Sequence, residues 1–318
     1  MAQITKFGRT ANGGLVQRVM LRSEEMHVAV LTLGATLQSV RLDGVPYDLT
    51  VAAQNVADAE GAMCYYGSLI APVVNRLTGA AAQVGGQTAQ FEKNFLGKHV
   101  LHSGLSGAQH QVWDIVDVSD SALTLALHLP DGMGGFSGNR DVTARFNLNG
   151  AQLQMDVTVT TDAATLWNVA NHSYWNLDGS PDYAGHGIQV AADHYLPTDS
   201  EFIPTGAIAN VTGTDFDFRA LRSIAPQQPP LDNSFCLGSA QEPLREVLML
   251  RGTSGVTLRL STTEAAVQLY DCRHDAFAAV AIEAQNWPDA PNKAGFPSIE
   301  LGAGQSRTQS TVWHFSKE

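Results

Sequence analysis

The sequence predicts an all-β protein, a single large antiparallel β-sandwich spanning residues 1–318. Three observations lead there. Apolar residues recur with a period of two along most of the chain, the spacing that sends successive side chains to opposite faces of a strand. Turn chemistry interrupts the pattern at short intervals. Helical periodicity is scarce and does not alternate with strands, which argues against a doubly wound parallel sheet.

The elements follow in order. Val28, Val30 and Thr32 alternate with Ala29, Leu31 and Leu33, and Leu42-Asp43-Gly44 marks the next turn. Asn55–Ser68 holds a short helical pattern, and Val84-Gly85-Gly86 is a turn. Leu123, Leu125, Leu127 and Leu129 alternate with Thr124, Ala126 and His128. Gly132, Gly134, Gly135 and Gly138 lack the spacing of a phosphate loop and precede a strand rather than a helix, so they predict a wide turn. Asn149-Gly150 between Thr143–Leu148 and Ala151–Thr160 is a two-residue hairpin signal. Phe218–Ile224 holds a second short helical pattern, and Val256, Leu258 and Leu260 mark a late strand. The only Pro-rich spot, Gln227-Gln228-Pro229-Pro230, is too short to separate domains.

Composition narrows the function classes. Hydrophobic residues make up 44% of the chain, enough for a sizeable core. The net charge of −12 and the scattered Lys and Arg argue against nucleic acid or an anionic membrane as a partner. No apolar run reaches the roughly 18 residues of a spanning helix. The first residues lack the apolar stretch of a secretory signal, so the expected location is the cytoplasm. Cys64, Cys236 and Cys272, odd in number and widely spaced, fit buried thiols rather than a disulfide framework or a zinc site. His99 and His102 on a strand would point to opposite faces, so no metal site is expected from them. No G-x-S-x-G elbow supplies a serine nucleophile.

Three segments place polar residues inside apolar strand patterns. In Leu166–Leu177, an extended chain puts Asn168, Ala170, His172, Tyr174 and Asn176 on one face, either a pocket wall or a set of satisfied structural groups. In Ala278–Asn292, Glu283 sits among Ala, Val and Ile with Gln285 on the same face. A carboxylate there belongs either to an edge strand or to a site where burial raises its pKa toward that of a general base. In Val73–His102, Asn75-Arg76 and His102 follow strand-like stretches, and Arg76 offers a rigid donor fork. Spacing alone does not bring the three segments together.

These residues resemble the aldose 1-epimerase family over nearly the whole chain, in order. Asn75-Arg76-Leu77 is similar to that family's Asn-Arg-Ile, and Leu101-His102-Ser103-Gly104 to its Leu-His-Gly-Gly. Asn171-His-Ser-Tyr-Trp-Asn-Leu177 differs from the family's run by one aromatic swap. Leu231-Asp232-Asn233, Val267-Gln268-Leu269-Tyr270 and Glu283-Ala-Gln285-Asn-Trp-Pro288 complete the set. The resemblance implies a large β-sandwich (the galactose mutarotase-like supersandwich) with a sugar cleft on one sheet. It implies Glu283 as catalytic base and His172 as acid. Asn75, Arg76, His102, Tyr174, Asp232 and Gln268 would hold hydroxyls of a free monosaccharide, with no cofactor and no metal.

The alternatives are a non-catalytic sugar-binding protein on the same fold and, with Asp232 and Glu283 as paired acids, a glycoside hydrolase. The chain departs from the family at Ala71-Pro72-Val73-Val74 and at Ser103, beside Arg76 and His102. If those changes reach the pocket, galactose is not its best substrate.

Overall fold

The computed structural model describes residues 2–317. Period-two patterning becomes two large antiparallel sheets that share one apolar interior. The first has nine strands, in the spatial order Asp114–Val118, Ala122–Leu129, Arg140–Asn149, Gln152–Thr161, Ser306–Lys317, Val256–Thr262, Arg245–Arg251, Gly187–Val190 and Arg222–Ser223. The second has seven: Ala209–Asn210, His194–Leu196, Asp232–Cys236, Ala266–Tyr270, Val280–Gln285, Tyr174–Trp175 and Thr50–Val51. A four-stranded meander from Gln3–Arg9 to Thr36–Leu42 adds Val19, Val28, Val30 and Leu37 to the same core.

Alternation decides what each sheet shows to the other. From the nine-stranded sheet, Leu153, Met155, Val157 and Val159 face inward, with Leu258, Leu260 and Trp313 beside them. From the seven-stranded sheet, Phe235, Val267, Leu269, Val280, Ile282, Ala284 and Trp175 face inward. Their neighbours Asp232, Gln268, Glu283 and Tyr174 are therefore turned to the opposite face. Trp175 and Trp313 meet across the interior with ring centroids 6.2 Å apart, and Phe315 lies 5.5 Å from Trp175. This aromatic contact lies behind Tyr174, on the core side of its strand.

Several sequence expectations are corrected here. The Arg140–Asn149 and Gln152–Thr161 strands pair up to Asn149 opposite Gln152, so the hairpin loop is Gly150–Ala151, one residue later than expected. Gly150 supplies the positive φ of +56° that this turn requires. Asn55–Ser68 yields only a helix at Val56–Glu60, where the Asn55 side chain caps the Asp58 amide. Phe218–Ile224 is not helical, because Arg222–Ser223 adds an edge strand to Gly187–Ile188 and takes the backbone groups a helix would use. Leu166–Leu177 is not one strand. Its chain pairs in turn with Glu300–Leu301, Leu69–Ile70 and Val280–Ala281. The glycine-rich stretch after Asp131 is a turn, as expected, with a single 3₁₀ turn at Met133–Gly135. No helix among the described residues is long and apolar enough to cross a membrane.

Trp313 is 1% exposed and bridges the two sheets. Trp313→Ala is expected to lower unfolding stability by about 3–5 kcal/mol, the usual cost of deleting a buried large ring. Denaturant titration followed by circular dichroism measures this. A loss below about 1 kcal/mol would mean that the inter-sheet contact is not a principal tie.

Candidate active site

The Val280–Gln285 strand is buried on both faces, so its outward carboxylate is not at a solvent edge. Gln268 stands directly opposite Glu283 in the neighbouring strand, and Asp232 lies one strand further on. Gln268 Nε2 donates to Asp232 Oδ1 at 2.8 Å, and Arg76 Nη2 donates to Asp232 Oδ2 at 3.4 Å. These polar groups thus form a connected row beside a carboxylate that has little else to bond.

The imidazole arrives on a short irregular segment. The His172 amide donates to Ser68 O and its carbonyl accepts from Gly67 N–H, both at 2.9 Å. Asn171 fixes the same turn, donating to Gly67 O and accepting from the Ser173 hydroxyl and amide. His172 Nε2 then lies 3.4 Å from Glu283 Oε1. Tyr174 stacks on the His172 ring at 5.0 Å, and Tyr66 stacks on Tyr174 at 4.0 Å. His172 Nδ1 and Glu283 Oε2 are buried and have no hydrogen-bond partner in the protein.

Left-handed backbone brings in the third segment. Asn75 has φ +64°, and His102, Ser103 and Gly104 follow one another at +51°, +62° and +69°. Conformations this sparse for non-glycine residues persist only where surroundings impose them. Here the Asn75 amide donates to His102 Nδ1 at 3.1 Å while the His102 amide donates to Asn75 O at 2.9 Å. Because Nδ1 accepts, the neutral ring carries its proton on Nε2 and is a donor there.

Burial governs the electrostatics. It pushes the Glu283 carboxyl up to about 8, Asp232 adding to the rise and Arg76 opposing it. Burial likewise pushes His172 down to about 3. His102 is held well below the ordinary histidine value, first by burial and then by His172 and Arg76. Burial raises Asp232 against the pull of Arg76. Near neutral pH these shifts leave the Glu283–His172 pair with one proton, carried by the carboxyl.

All eight residues expected at the site, Asn75, Arg76, His102, His172, Tyr174, Asp232, Gln268 and Glu283, line one cavity of about 340 Å³. Other residues of the same segments do not. Asn168 bonds the Asn286 backbone, and Asn176 bonds the Ser180 and Ala278 carbonyls, so both are structural. Of the face expected in Leu166–Leu177, only His172 and Tyr174 line the cavity. His99 and His102 flank the two-residue strand Val100–Leu101 rather than sharing it, and they bond different partners, His99 Glu201 at 3.2 Å and His102 the Asn75 amide. Sequence reasoning missed Tyr65, Phe202, Arg273 and His274, which also line the cavity, and quoted Tyr270 without a role. Tyr270 was findable, since it follows Gln268 by two on the same strand; the others come from turns and loops, where no period applies.

The departures at Ala71–Val74 and Ser103 stand behind the cavity wall rather than in it. Ser103 Oγ accepts from Val73 N–H at 2.8 Å and donates to Val73 O at 2.9 Å, so the two altered segments are bonded to each other. Any effect on substrate choice must pass through this backbone.

Donor atoms of His102, His172 and Glu283 lie within 4.8 Å of one another, close enough to suggest a metal. The chemistry of the set argues otherwise. His102 already spends Nδ1 on the Asn75 amide and carries a proton on Nε2, so it offers no free lone pair for a cation.

A buried carboxyl and imidazole face each other in a cavity lined by polar side chains, an arrangement suited to acid–base chemistry on a small polar substrate. The profile of the family described as "Aldose 1-epimerase" matches residues 17–314. Galactose mutarotase of Rattus norvegicus is 30% identical, the match covering 98% of each chain. Aldose 1-epimerase of Haemophilus influenzae is also 30% identical, over 88% of this chain and 89% of its own. Among solved structures, galactose 1-epimerase from Lactobacillus acidophilus superposes with a TM-score of 0.87 at 25% identity, covering 100% of this chain and 99% of its own. The chain belongs to the aldose 1-epimerase family, and it is an isomerase that interconverts the anomers of an aldose.

Gly67, at φ +79°, carries the backbone that holds His172, and a Cβ added there would meet Leu37 O at 2.2 Å. Gly67→Ala is expected to cost about 2 kcal/mol or more of stability and to slow turnover by displacing His172. Thermal unfolding and anomer-exchange rates measured together check this; a fully active variant of unchanged melting temperature would contradict it.

Proposed function

We propose that Glu283 and His172 are the proton-transfer pair of this isomerase, with Glu283 as base and His172 as acid. The observation that supports it is their 3.4 Å approach in a site where each keeps one buried polar atom unpartnered. When the sugar binds, the pair's one proton passes from Glu283 to His172, and the ionised Glu283 then removes the proton from the anomeric O1. The C1–O1 bond becomes a carbonyl, the C1–O5 ring bond breaks, and O5 takes a proton from His172. Rotation about C1–C2 turns the other aldehyde face toward O5. Reclosure returns both protons in reverse, so the pair ends as it began. Each transfer of this kind contributes roughly 10²–10⁴-fold.

Asn75, Arg76, His102, Tyr174, Asp232 and Gln268 are proposed to hold the sugar hydroxyls that do not react. They keep the open-chain aldehyde from leaving before it recloses. Arg76 Nε is a buried donor with no acceptor in the protein. A second reading exchanges the roles, with Glu283 donating to O5 and His172 receiving from O1. Burial favours that reading, because it leaves the resting proton on the carboxyl. A sugar-bound structure decides between them by whether the carboxylate faces O1 or O5. Residues 1–318 are proposed to act as one domain, supported by one large apolar cluster whose members run from Val19 to Phe315. Three unpaired thiols support a reducing, cytoplasmic setting.

Glu283→Gln keeps size and polarity but cannot exchange a proton at neutral pH. Its kcat is expected to fall by the equivalent of about 3–5 kcal/mol while sugar binding changes little. Polarimetry of freshly dissolved α-sugar, in buffer containing a chelator, measures it. His172→Asn is expected to behave likewise, and a variant within threefold of the parent rate would remove that residue from the pair.

The reaction conserves one proton on the pair, so either assignment gives the same pH dependence. Activity is expected to hold between about pH 3 and about pH 8, set by His172 and Glu283, within the range where the fold survives. It falls above pH 8 as the carboxyl ionises. Stability carries the complementary sign. A carboxyl whose folded pKa is raised from 4.5 to about 8 contributes stability below pH 4.5 that is lost as pH rises through 8. Glu283→Gln is therefore expected to melt higher than the parent at pH 8.5, with the gap closing toward pH 5. A gap independent of pH would mean that Glu283 is ionised throughout.

A further inference from the structure

Beside the cavity, aromatic rings alternate with guanidinium groups in a row that proton transfer does not require, and all of its members but Phe95 line the cavity. Arg76 Cζ lies 4.8 Å from the Phe95 ring centroid and 5.2 Å from that of Phe202. Arg273 Cζ lies 5.7 Å from Phe202 and 5.5 Å from Tyr270. The row runs Phe95, Arg76, Phe202, Arg273, Tyr270, drawn from separate segments of the chain, with Phe202 at its centre. All four distances fall within the range of cation–π attraction.

The two cations are held differently. Arg273 is gripped by Asp271 through Nε at 2.8 Å and Nη2 at 3.2 Å, and by Leu231 O at 2.9 Å. Arg76 has one long contact, 3.4 Å to Asp232, and its buried Nε is free. Hydrogen bonding alone does not fix the plane of the Arg76 fork, and the rings beside it supply the missing constraint.

Phe202 is built into this position. Its φ is +60°, a conformation that costs a bulky residue about 1–3 kcal/mol and persists only where neighbours impose it. Asp199 imposes it by accepting from the Glu201 and Ile203 amides with Oδ1 and from the Phe202 amide with its carbonyl. Glu201 then ties the loop to His99 Nε2 at 3.2 Å and to Lys98, both beside the turn that carries Phe95. His99 is oriented for this, since its Nδ1 accepts the Gly79 amide and leaves the proton on Nε2. One salt bridge, Lys98–Glu201, and one hydrogen bond, His99–Glu201, therefore join the loops carrying the two rings next to Arg76.

We propose that Phe202 is a positioning residue for Arg76, and that through it the row sets how tightly the sugar is held. The inference rests on Arg76 being a hydroxyl anchor. A sugar that binds Arg76 gains from a fork already oriented, so loss of the ring weakens binding without touching the chemical step.

The test is a kinetic double-mutant cycle on mutarotation, using Phe202→Ala, Phe202→Leu and Phe202→Tyr, with Phe202→Ala repeated in an Arg76→Ala background. Phe202→Ala is expected to raise KM about tenfold with kcat within threefold, a size consistent with cation–π energies of roughly 0.5–2 kcal/mol. Phe202→Leu, which keeps an apolar side chain in the same loop, follows Ala, whereas Phe202→Tyr restores KM to within threefold. In the Arg76→Ala background the Phe202 substitution changes KM less than twofold. A second tenfold rise there would show that Phe202 meets the sugar directly and overturn the inference. A fall in kcat at unchanged KM would overturn it too. An Arg76→Ala variant with the parental KM would instead remove the anchor itself, a failure of the underlying reading that the cycle separates from the failure of Phe202.

Discussion

Placing Glu283 on the outward face of a fully buried strand is the constraint on which the site depends. A carboxylate there loses its water and receives no compensating donor on Oε2, so it holds a proton where a surface glutamate would not. The same dry setting keeps His172 neutral and 3.4 Å away. Two groups of ordinarily similar reach are thereby forced to share one proton. Ring opening and closing need the proton to move without changing in number, and the pair has that property before any sugar arrives.

The scaffold makes this arrangement tolerable. The inward residues of the same strands, Val280, Ile282 and Ala284, pack into the common core, so strand position is set by apolar burial rather than by the polar face. Freed from structural duty, that face carries Gln268 directly opposite Glu283, with Asp232 on the next strand opposite Tyr270. The loop side is built differently. Asn75, His102, Ser103 and Phe202 all occupy left-handed backbone; the first three are pinned by hydrogen bonds from another segment, and the Phe202 loop is held by Asp199 within it and tied by Glu201 to Lys98 and His99. Strain concentrated at the pocket and restrained elsewhere is what pre-organised donors require.

Much of this was legible in the sequence, for a physical reason. Period-two patterning states which residues share a face, so the sandwich, the Glu283 strand and the common face of Gln268 and Tyr270 could be read before any coordinates. Convergence could not. Gln268 and Asp232 are 36 residues apart in sequence, and no local pattern records that they bond. The short motifs resembling the aldose 1-epimerase family supplied what periodicity lacked. Even so, they did not separate Asn168 and Asn176, which hold backbone, from His172 and Tyr174, which face the cavity. The run Leu166–Leu177 reads as one extended chain at period-two spacing, whereas it pairs in turn with three different segments. Phe202 and Arg273 carried no signal, since loops have no period and cation–π partners have no fixed spacing. Pro72 and Ser103 looked like possible substrate readers, but their bonding places them behind the wall.

The account turns on where the Glu283 carboxyl titrates. Protein labelled with ¹³C at the glutamate carboxyl carbon, followed by NMR from about pH 4 to 9.5 without sugar, reports it directly. The Glu283 signal is assigned by its absence from Glu283→Gln. A midpoint near 8, moving toward the ordinary carboxylate value when Asp232 is replaced by Asn, is the predicted result. A Glu283 carboxyl that titrates near 4.5 in the folded protein would mean that burial does not hold the proton on the pair, and the shared-proton account would be wrong.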